Sequence, residues 1–283
     1  MKHFAQVLWL PLALILVCGC GGGARPSSLG PSQSSDPPSN PPPNPPQQAT
    51  DITGNWQFSA TSTALPGTPS ATIAGNITQT EDVLSGTMHI DGWSCFEKLT
   101  TVSLAGTLTA ESKFSLTSAS IDGQVISLSG IVSKKGSGFP YSLKAIYSVS
   151  GGCADGDQGD VTGTDIDSIA GFWAASWTTA GGESIHVNYN LKQGNADSDG
   201  NFALTGTATF DDLCSNSGIT TPGTVLSDSS ILGRSVLLDV KTDNGTVNFL
   251  GTFEPYGLME GTYTVTGGPC DSNGTAYLSP WEY

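Results

Sequence analysis

Downstream of residue 50, apolar and polar residues alternate with a period of two over many short stretches. The clearest stretch covers residues 184–192, where Ile185, Val187, Tyr189 and Leu191 would all point to one side. Strands with one buried and one solvated face give this period, and antiparallel sheets are built from them. Pairs that favour tight hairpin turns separate the stretches: Asp122-Gly123, Asp199-Gly200 and Asn244-Gly245. No stretch has a helical period, so the pattern predicts an all-β fold.

The alternating region also repeats itself. A Gly-x-Trp sequence ending at Trp56 opens one half, and a second one ending at Trp173 opens the other half 117 residues later. A Tyr-x-Val-x-Gly-Gly phrase precedes the second cysteine of each half. Matched landmarks in the same order indicate an internal duplication. We therefore expect two domains, residues 51–165 and residues 166–283, each with about eight strands.

Glycine recurs on the inward side of the predicted strands, two positions after a large apolar residue. The pairs are Leu84/Gly86, Leu104/Gly106, Leu128/Gly130, Leu204/Gly206, Phe249/Gly251 and Met259/Gly261. Glycine weakens a strand unless the geometry requires it, as the sharply coiled strands of a closed barrel do. We therefore predict two tandem antiparallel up-and-down barrels. Eight strands enclose an interior that side chains just fill, or that holds one small ligand.

The Gly-x-Trp opening followed by about eight strands resembles the lipocalin-like barrels. The residues that carry the resemblance are Gly54 and Trp56 in one half, and Gly171 and Trp173 in the other. The resemblance implies a meandering barrel with lipocalin-like strand order. The Thr-Asp-Tyr loop motif of lipocalins is missing, and neither repeat has an arginine near its end to cap the tryptophan. We therefore do not extend the resemblance to lipocalin function.

The N-terminus has the organisation of a signal peptide. A short polar start precedes an apolar stretch over residues 4–17, which is shorter than the roughly 20 residues that span a bilayer. Residues 17–20, Val-Cys-Gly-Cys, resemble the bacterial lipobox, whose last residue is the lipidated cysteine. Cys20 fits that position because the small Gly19 precedes it, whereas bulky Val17 precedes the other cysteine. The alternative is an ordinary secretory signal with two incidental cysteines.

The lipobox resemblance implies that residues 1–19 are removed and that Cys20 carries a diacylglyceryl group and an N-acyl chain. More than one acyl chain gives stable membrane anchoring. An aspartate after the lipidated cysteine commonly retains such proteins in the inner membrane, so Gly21 in its place favours the outer membrane. Residues 21–50 contain nine of the 17 prolines, and we expect residues 20–50 to form a lipidated, disordered spacer.

Four cysteines remain after lipidation, two in each repeat. The economical pairing joins Cys95 to Cys153 and Cys214 to Cys270, within each repeat and in an oxidising compartment. Cys95 follows the third predicted strand and Cys153 follows the seventh, so their bridge would join two loops at one rim. A metal site is the alternative, but no CxxC pair or nearby histidine supports it. We expect no metal and no other cofactor.

Charge and composition exclude several classes of function. The net charge is −15 with ten Lys plus Arg, and such a surface repels phosphate backbones and anionic lipids alike. We therefore expect no nucleic-acid partner, and membrane attachment only through the lipid. His89 and His186 are the histidines beyond the signal peptide; both occupy outward positions, which argues against a Ser-His-Asp site. The inward faces carry almost no carboxylates. We expect no enzymatic activity.

One acidic segment resembles part of a calcium loop. Residues 195–200 place oxygen-bearing side chains at alternate positions before a glycine, but Gly206 stands where a bidentate glutamate is expected. The same residues make a good hairpin turn, which we favour. The three aspartates Asp155, Asp157 and Asp160 are a weaker version of the same pattern.

Exposed aromatics are the last candidates: Trp93 and Phe96 in one loop, Trp177 near the end of a strand, and Trp281 and Tyr283 as the last aromatic residues of the sequence. They would stack on sugars or fill a partner's pocket, or they would plug a barrel end beside a disulfide. Two classes of function stay open. In the first, the barrels are structural or interaction modules of the cell envelope, which large inward residues such as Phe114 and Phe249 favour. In the second, they bind a small apolar molecule or a glycan, in the barrels or at their rims.

Replacement of the proposed lipid-bearing cysteine tests the membrane attachment. We expect Cys20→Ser to release or mislocalise the protein, because no acyl chain can then be added at the cleavage site. Membrane fractionation followed by immunoblotting measures the change, with Cys18→Ser as the matched control. If Cys20→Ser stays with membranes while Cys18→Ser does not, the lipid is on Cys18 and the prediction is wrong.

Overall fold

The computed structural model describes residues 50–64, 70–93, 95, 99–133, 140–215, 218–268 and 271–281. The predicted signal peptide, Cys20 and almost all of the spacer lie outside the described residues. Within the described part there is no helix long and apolar enough to cross a bilayer. It contains one 3-10 turn at Leu213–Ser215 and otherwise consists of β-strands and their connections, which confirms the all-β prediction.

Eight strands form the first half: β1 Gly54–Ser62, β2 Ala71–Thr80, β3 Val83–Asp91, β4 Thr100–Leu108, β5 Lys113–Ser118, β6 Val125–Ser133, β7 Ser142–Ser150 and β8 Gln158–Ile166. Each pairs antiparallel with the next, and β8 pairs with β1, so the sheet closes into a barrel. Trp56 on β1 shows the closure, because it lies opposite Gly75 on one side and Asp165 on the other.

Nine strands form the second half: β9 Gly171–Thr179, β10 Ser184–Ala196, β11 Phe202–Asp211, β12 Thr220–Val225, β13 Ser230–Leu232, β14 Ser235–Thr242, β15 Gly245–Phe253, β16 Met259–Thr266 and β17 Ser272–Pro280. This sheet also closes, because β9 pairs with both β10 and β17. The short strands β12 and β13 share one position between β11 and β14, so the barrel has eight strand positions. The prediction of two up-and-down barrels is confirmed.

Each barrel has its own apolar core. The alternation on β10 is confirmed: its four apolar residues from Ile185 to Leu191 are all buried. Large rings fill both interiors, among them Trp56 and Phe58 in the first barrel and Trp177 and Phe210 in the second. The cores are therefore side-chain cores, as an eight-stranded barrel of this size permits.

The inward glycines let neighbouring strands approach closely. A Cβ atom placed on Gly106 would lie 1.8 Å from the carbonyl oxygen of Ser115 on the adjacent strand. On Gly130 it would lie 2.1 Å from the carbonyl oxygen of Lys144. No side chain fits at such distances, so these strands can coil this tightly only where glycine stands. The role predicted for the inward glycines is confirmed.

The two barrels begin with the same hydrogen bond. The indole Nε1 of Trp56 donates to the carbonyl oxygen of Ile52 at 2.8 Å, and that of Trp173 donates to Ile169 at 2.8 Å. Both isoleucines are buried against the barrel end. In each barrel a backbone carbonyl therefore accepts the hydrogen bond of the indole N–H. The arginine that caps this tryptophan in lipocalins is missing from both repeats.

A glutamine completes the entry motif in each half. The backbone N–H of Ile52 donates to Gln79 Oε1 at 3.0 Å, and that of Ile169 donates to Gln193 Oε1 at 3.0 Å. The motif glycine of the second half, Gly171, has φ +137°, a conformation that favours glycine. Two matched pairs of hydrogen bonds, one local and one between residues distant in sequence, support the internal duplication more strongly than the Gly-x-Trp sequence does alone.

Substitution of an inward glycine tests the strand packing. We expect Gly106→Ala to lower the free energy of unfolding by about 1–3 kcal/mol, because the new methyl group would overlap a backbone carbonyl. Urea unfolding followed by tryptophan fluorescence measures the loss. Gly194→Ala is the matched control in a strand, since its Cβ would lie 3.6 Å from the nearest atom. Equal stability of the two variants would contradict the packing argument.

Candidate functional site

A disulfide closes one rim of the first barrel. Cys95 follows β3 and Cys153 follows β7, and the two are bonded with their Cα atoms 6.0 Å apart. Both the predicted pairing and its place at one rim are confirmed for this bridge. In the second barrel Cys214 follows β11 and is disulfide-bonded, whereas Cys270, its predicted partner, lies outside the described residues.

Trp93 plugs the same rim. Its side chain is buried, and its ring meets the edge of Tyr147 with the ring centres 4.8 Å apart. Between the two roles weighed for the loop aromatics, Trp93 therefore takes the plug beside a disulfide. Phe96 and Tyr283 lie outside the described residues, so their roles stay predictions.

A buried carboxylate ties the rim together. Asp157 accepts hydrogen bonds from the hydroxyls of Tyr147, at 3.0 Å, and Ser62, at 2.6 Å. Burial, together with this carboxylate, raises the pKa of Tyr147 to about 12. Asp157 therefore joins β1, β7 and the start of β8, and its carboxylate oxygens are engaged in structural hydrogen bonds. Sequence reasoning missed this role, because Ser62 is nearly a hundred residues away and no local pattern joins the three side chains.

The expectation that Trp177 is exposed is wrong, although it does lie near the end of a strand. It is fully buried inside the second barrel, where its ring stacks on Tyr263 at 4.2 Å and meets the edge of Phe210 at 5.5 Å. The period of two carried the correct signal, because Trp177 shares the inward face of β9 with Trp173. Burial raises the pKa of Tyr263, and also that of Tyr189, in the same interior.

His89 and the calcium-like segment meet at one hairpin. His186 is exposed, as expected, but His89 is half-buried because the β10–β11 turn covers it. His89 Nε2 donates to the carbonyl oxygen of Asp199 at 2.6 Å. Within that turn, Asp197 Oδ1 accepts from the backbone N–H groups of Asp199 and Asn201 at 2.9 Å each. The hairpin-turn interpretation is confirmed, and the described residues contain no group of three metal-ligating side chains.

The outer face of β1 joins the first barrel to the second. Asn55 occupies an outward position yet is only 2 % exposed. Its side-chain amide donates to the carbonyl oxygen of Gly233 at 2.8 Å and accepts from the N–H of the same residue at 2.8 Å. Gln57 accepts from the backbone N–H of Arg234 at 2.8 Å. These contacts were not predicted, because an outward asparagine in a strand gives no sequence signal for a partner.

A cleft of about 600 Å³ lies beside this contact. Its walls come from the end of β8, the β13–β14 turn and the β15–β16 loop. The lining includes Ile166, Arg234, Phe253, Glu254, Pro255 and Tyr256. Arg234 is the one arginine in the described part of the chain. The cleft has the size of a small-molecule site, with apolar walls and a few charged groups.

Three aromatic side chains stand exposed on the outside of the second barrel. Phe172 on β9 is 49 % exposed, Tyr277 on β17 is 43 % exposed, and Trp281 just after β17 is 55 % exposed. We call these three residues the aromatic strip. Trp281 was a candidate from the sequence. The other two were missed, although each occupies an outward position in a strand whose inward positions are apolar.

The chain is similar to few known proteins. No protein-family model matches this chain, and no curated protein matches it. The crystal structure of a Nitrosomonas europaea protein provisionally called AttH is similar with a TM-score of 0.28 and 11 % identity, over 87 % of this chain and 98 % of the other. A Nostoc punctiforme protein of unknown function, from the DUF3598 family, has a TM-score of 0.22 and 10 % identity, over 81 % of this chain and 96 % of the other. At these values neither similarity bears on function.

Removal of one hydroxyl tests the buried rim. We expect Tyr147→Phe to lower the free energy of unfolding by about 1–3 kcal/mol, because Asp157 loses a buried donor. The raised pKa also predicts a pH effect. Because the folded state holds the Tyr147 proton more tightly than the unfolded state, stability should fall as the pH rises from 10 towards 12.

Urea unfolding at several pH values measures both effects. The Tyr147→Phe protein should lack its share of the alkaline decline, while the other buried tyrosines keep theirs. Tyr277→Phe is the control, because that side chain is exposed. A Tyr147→Phe protein with unchanged stability and an unchanged alkaline decline would contradict the assigned network.

Proposed function

We propose that this chain is a non-catalytic structural or interaction module of the cell envelope, anchored by a lipid on Cys20 to the outer membrane. The single observation that carries the proposal is that side chains fill both barrel interiors. A barrel with a filled interior presents its outer surface and its loops to partners. The lipobox-like residues 17–20 and the proline-rich spacer support the anchoring part of the proposal.

The groups that would ordinarily suggest catalysis have structural partners. Asp157 accepts two side-chain hydrogen bonds at the rim, and His89 donates to the turn of the second barrel. Asp197 accepts the N–H groups of its own turn. Each of these contacts explains its residue without a reaction, which supports a non-catalytic role.

The length of the spacer determines how far from the membrane the barrels can act. Thirty residues at roughly 3.1 Å each would let the barrels reach about 90 Å from the membrane. With a net charge of −15, the barrels would also be repelled by anionic headgroups. Lipid on one end and acidic barrels on the other favour a partner in the envelope beyond the bilayer surface.

The cleft beside the barrel contact favours a second candidate function, the binding of a small apolar molecule. Its volume of about 600 Å³ falls in the range of ligand sites, and Phe253, Pro255 and Ile166 supply apolar walls. This site lies outside both barrels, so it is independent of the filled interiors. The charged groups of Arg234 and Glu254 at its edge would orient a ligand with a polar end.

Titration with an apolar probe separates these two functions. The Cys20→Ser chain, purified without detergent, is mixed with a fluorescent medium-chain fatty acid. We expect no saturable one-to-one binding, because large buried side chains occupy both interiors. Saturable binding that Phe253→Ala abolishes would favour the cleft as a ligand site. Saturable binding that Phe253→Ala leaves unchanged would place the probe elsewhere in the chain and contradict the filled barrels.

A further inference from the structure

The aromatic strip lies on one continuous outer surface. The backbone N–H of Trp281 donates to the carbonyl oxygen of Phe172 at 2.9 Å, so the two residues face each other across neighbouring strands. Tyr277 lies four residues before Trp281, which places it about 13 Å along the same strand. The small residues Ala174 and Ser279 face each other between them. The result is a narrow floor of small side chains on the outer surface of the barrel, with aromatic residues at each end.

Amide side chains border this floor. On the neighbouring strand β10, Asn190 lies opposite Phe172 and Asn188 lies opposite Ala174. His186 continues the row opposite Ser176. Asn190 and His186 are exposed and Asn188 is half-buried. Hydrogen-bonding groups that both donate and accept therefore run parallel to the aromatic rings.

The surface is uncharged in a strongly acidic chain. Within the three described strands β17, β9 and β10, the floor and its amide border carry no aspartate, glutamate, lysine or arginine. Charged side chains begin at the margins, with Glu260 opposite Tyr277, Asp211 opposite His186 and Lys192 beyond Asn190. A neutral surface of this kind on a protein of net charge −15 matches an uncharged partner.

The first barrel uses the equivalent position for contact. The middle residue of the Gly-x-Trp motif is Asn55 in the first half and Phe172 in the second. Asn55 is buried by its hydrogen bonds with Gly233, whereas Phe172 is exposed. The same outward position thus serves the contact between barrels in one half and is about half exposed among aromatic residues in the other.

We propose that the aromatic strip binds a neutral polysaccharide of the cell envelope or of its surroundings. Ring faces stack on the apolar C–H faces of sugars, and amide side chains satisfy the hydroxyl groups at the sugar edges. A floor about 13 Å long has room for about two or three linked sugar rings. This proposal rests on the proposed interaction function and names the partner class for it.

Electrophoresis of the full chain, purified in detergent, through gels that contain polysaccharide tests the proposal. The probes are hydroxyethyl cellulose and dextran, which are neutral, and alginate, which is anionic. We expect at least one neutral probe to retard the protein and alginate not to. Trp281→Ala and Phe172→Ser should each weaken the binding about tenfold, as loss of a central aromatic contact does. Leu250→Ala removes an exposed apolar side chain of β15 that lies outside both the strip and the cleft; it is the control and should bind normally.

Three results would overturn the proposal. The first is that neither neutral probe retards the folded parent protein. The second is that Trp281→Ala and Phe172→Ser, with unfolding curves like those of the parent, bind as tightly as it does. The third is that alginate retards the protein more than the neutral probes. All three would leave the proposed interaction function standing. Two other results would instead contradict the proposed interaction function: release of the parent chain from membranes, or ligand binding inside a barrel. Neither result would contradict polysaccharide binding by the aromatic strip.

Discussion

The close approach of neighbouring strands at the inward glycines is the constraint on which this structure depends. Where a Cβ on Gly106 or Gly130 would lie about 2 Å from a backbone carbonyl, the strands can coil tightly enough to close an eight-stranded sheet. Closure at this radius brings Trp56, Phe58 and their neighbours into contact across the interior. Because large side chains then occupy the interiors, the outer faces and the loops are the surfaces at which the proposed interaction would take place.

Duplication explains both the likeness and the difference of the two barrels. The indole-to-carbonyl bond and the glutamine-to-backbone bond recur in each, so each barrel end is closed in the same way. The outward residues have diverged, because alternation leaves them free of the core. In the first copy Asn55 and Gln57 hold the β13–β14 turn of the second barrel. In the second copy the equivalent face carries the aromatic strip.

Sequence periodicity predicted what depends on alternation, and it failed where distant surfaces meet. The inward faces, the barrel closure and the Cys95–Cys153 bridge followed from period, glycine position and strand count. The burial of Asp157 and the covering of His89 depend on residues from distant strands, which no local pattern brings together. Trp177 is different, because its parity already assigned it to the core and only its nearness to a strand end suggested that it is exposed.

Hydrogen exchange of two indole protons tests the filled and closed barrels most directly. In NMR spectra of the full chain, the Nε1 protons of Trp56 and Trp173 should exchange as slowly as the most protected strand amides of their own barrels. Both are buried and bonded to a backbone carbonyl, so exchange requires the barrel itself to unfold. Rapid exchange of either indole proton, with the neighbouring strand amides still protected, would show an open, hydrated barrel end and contradict the account.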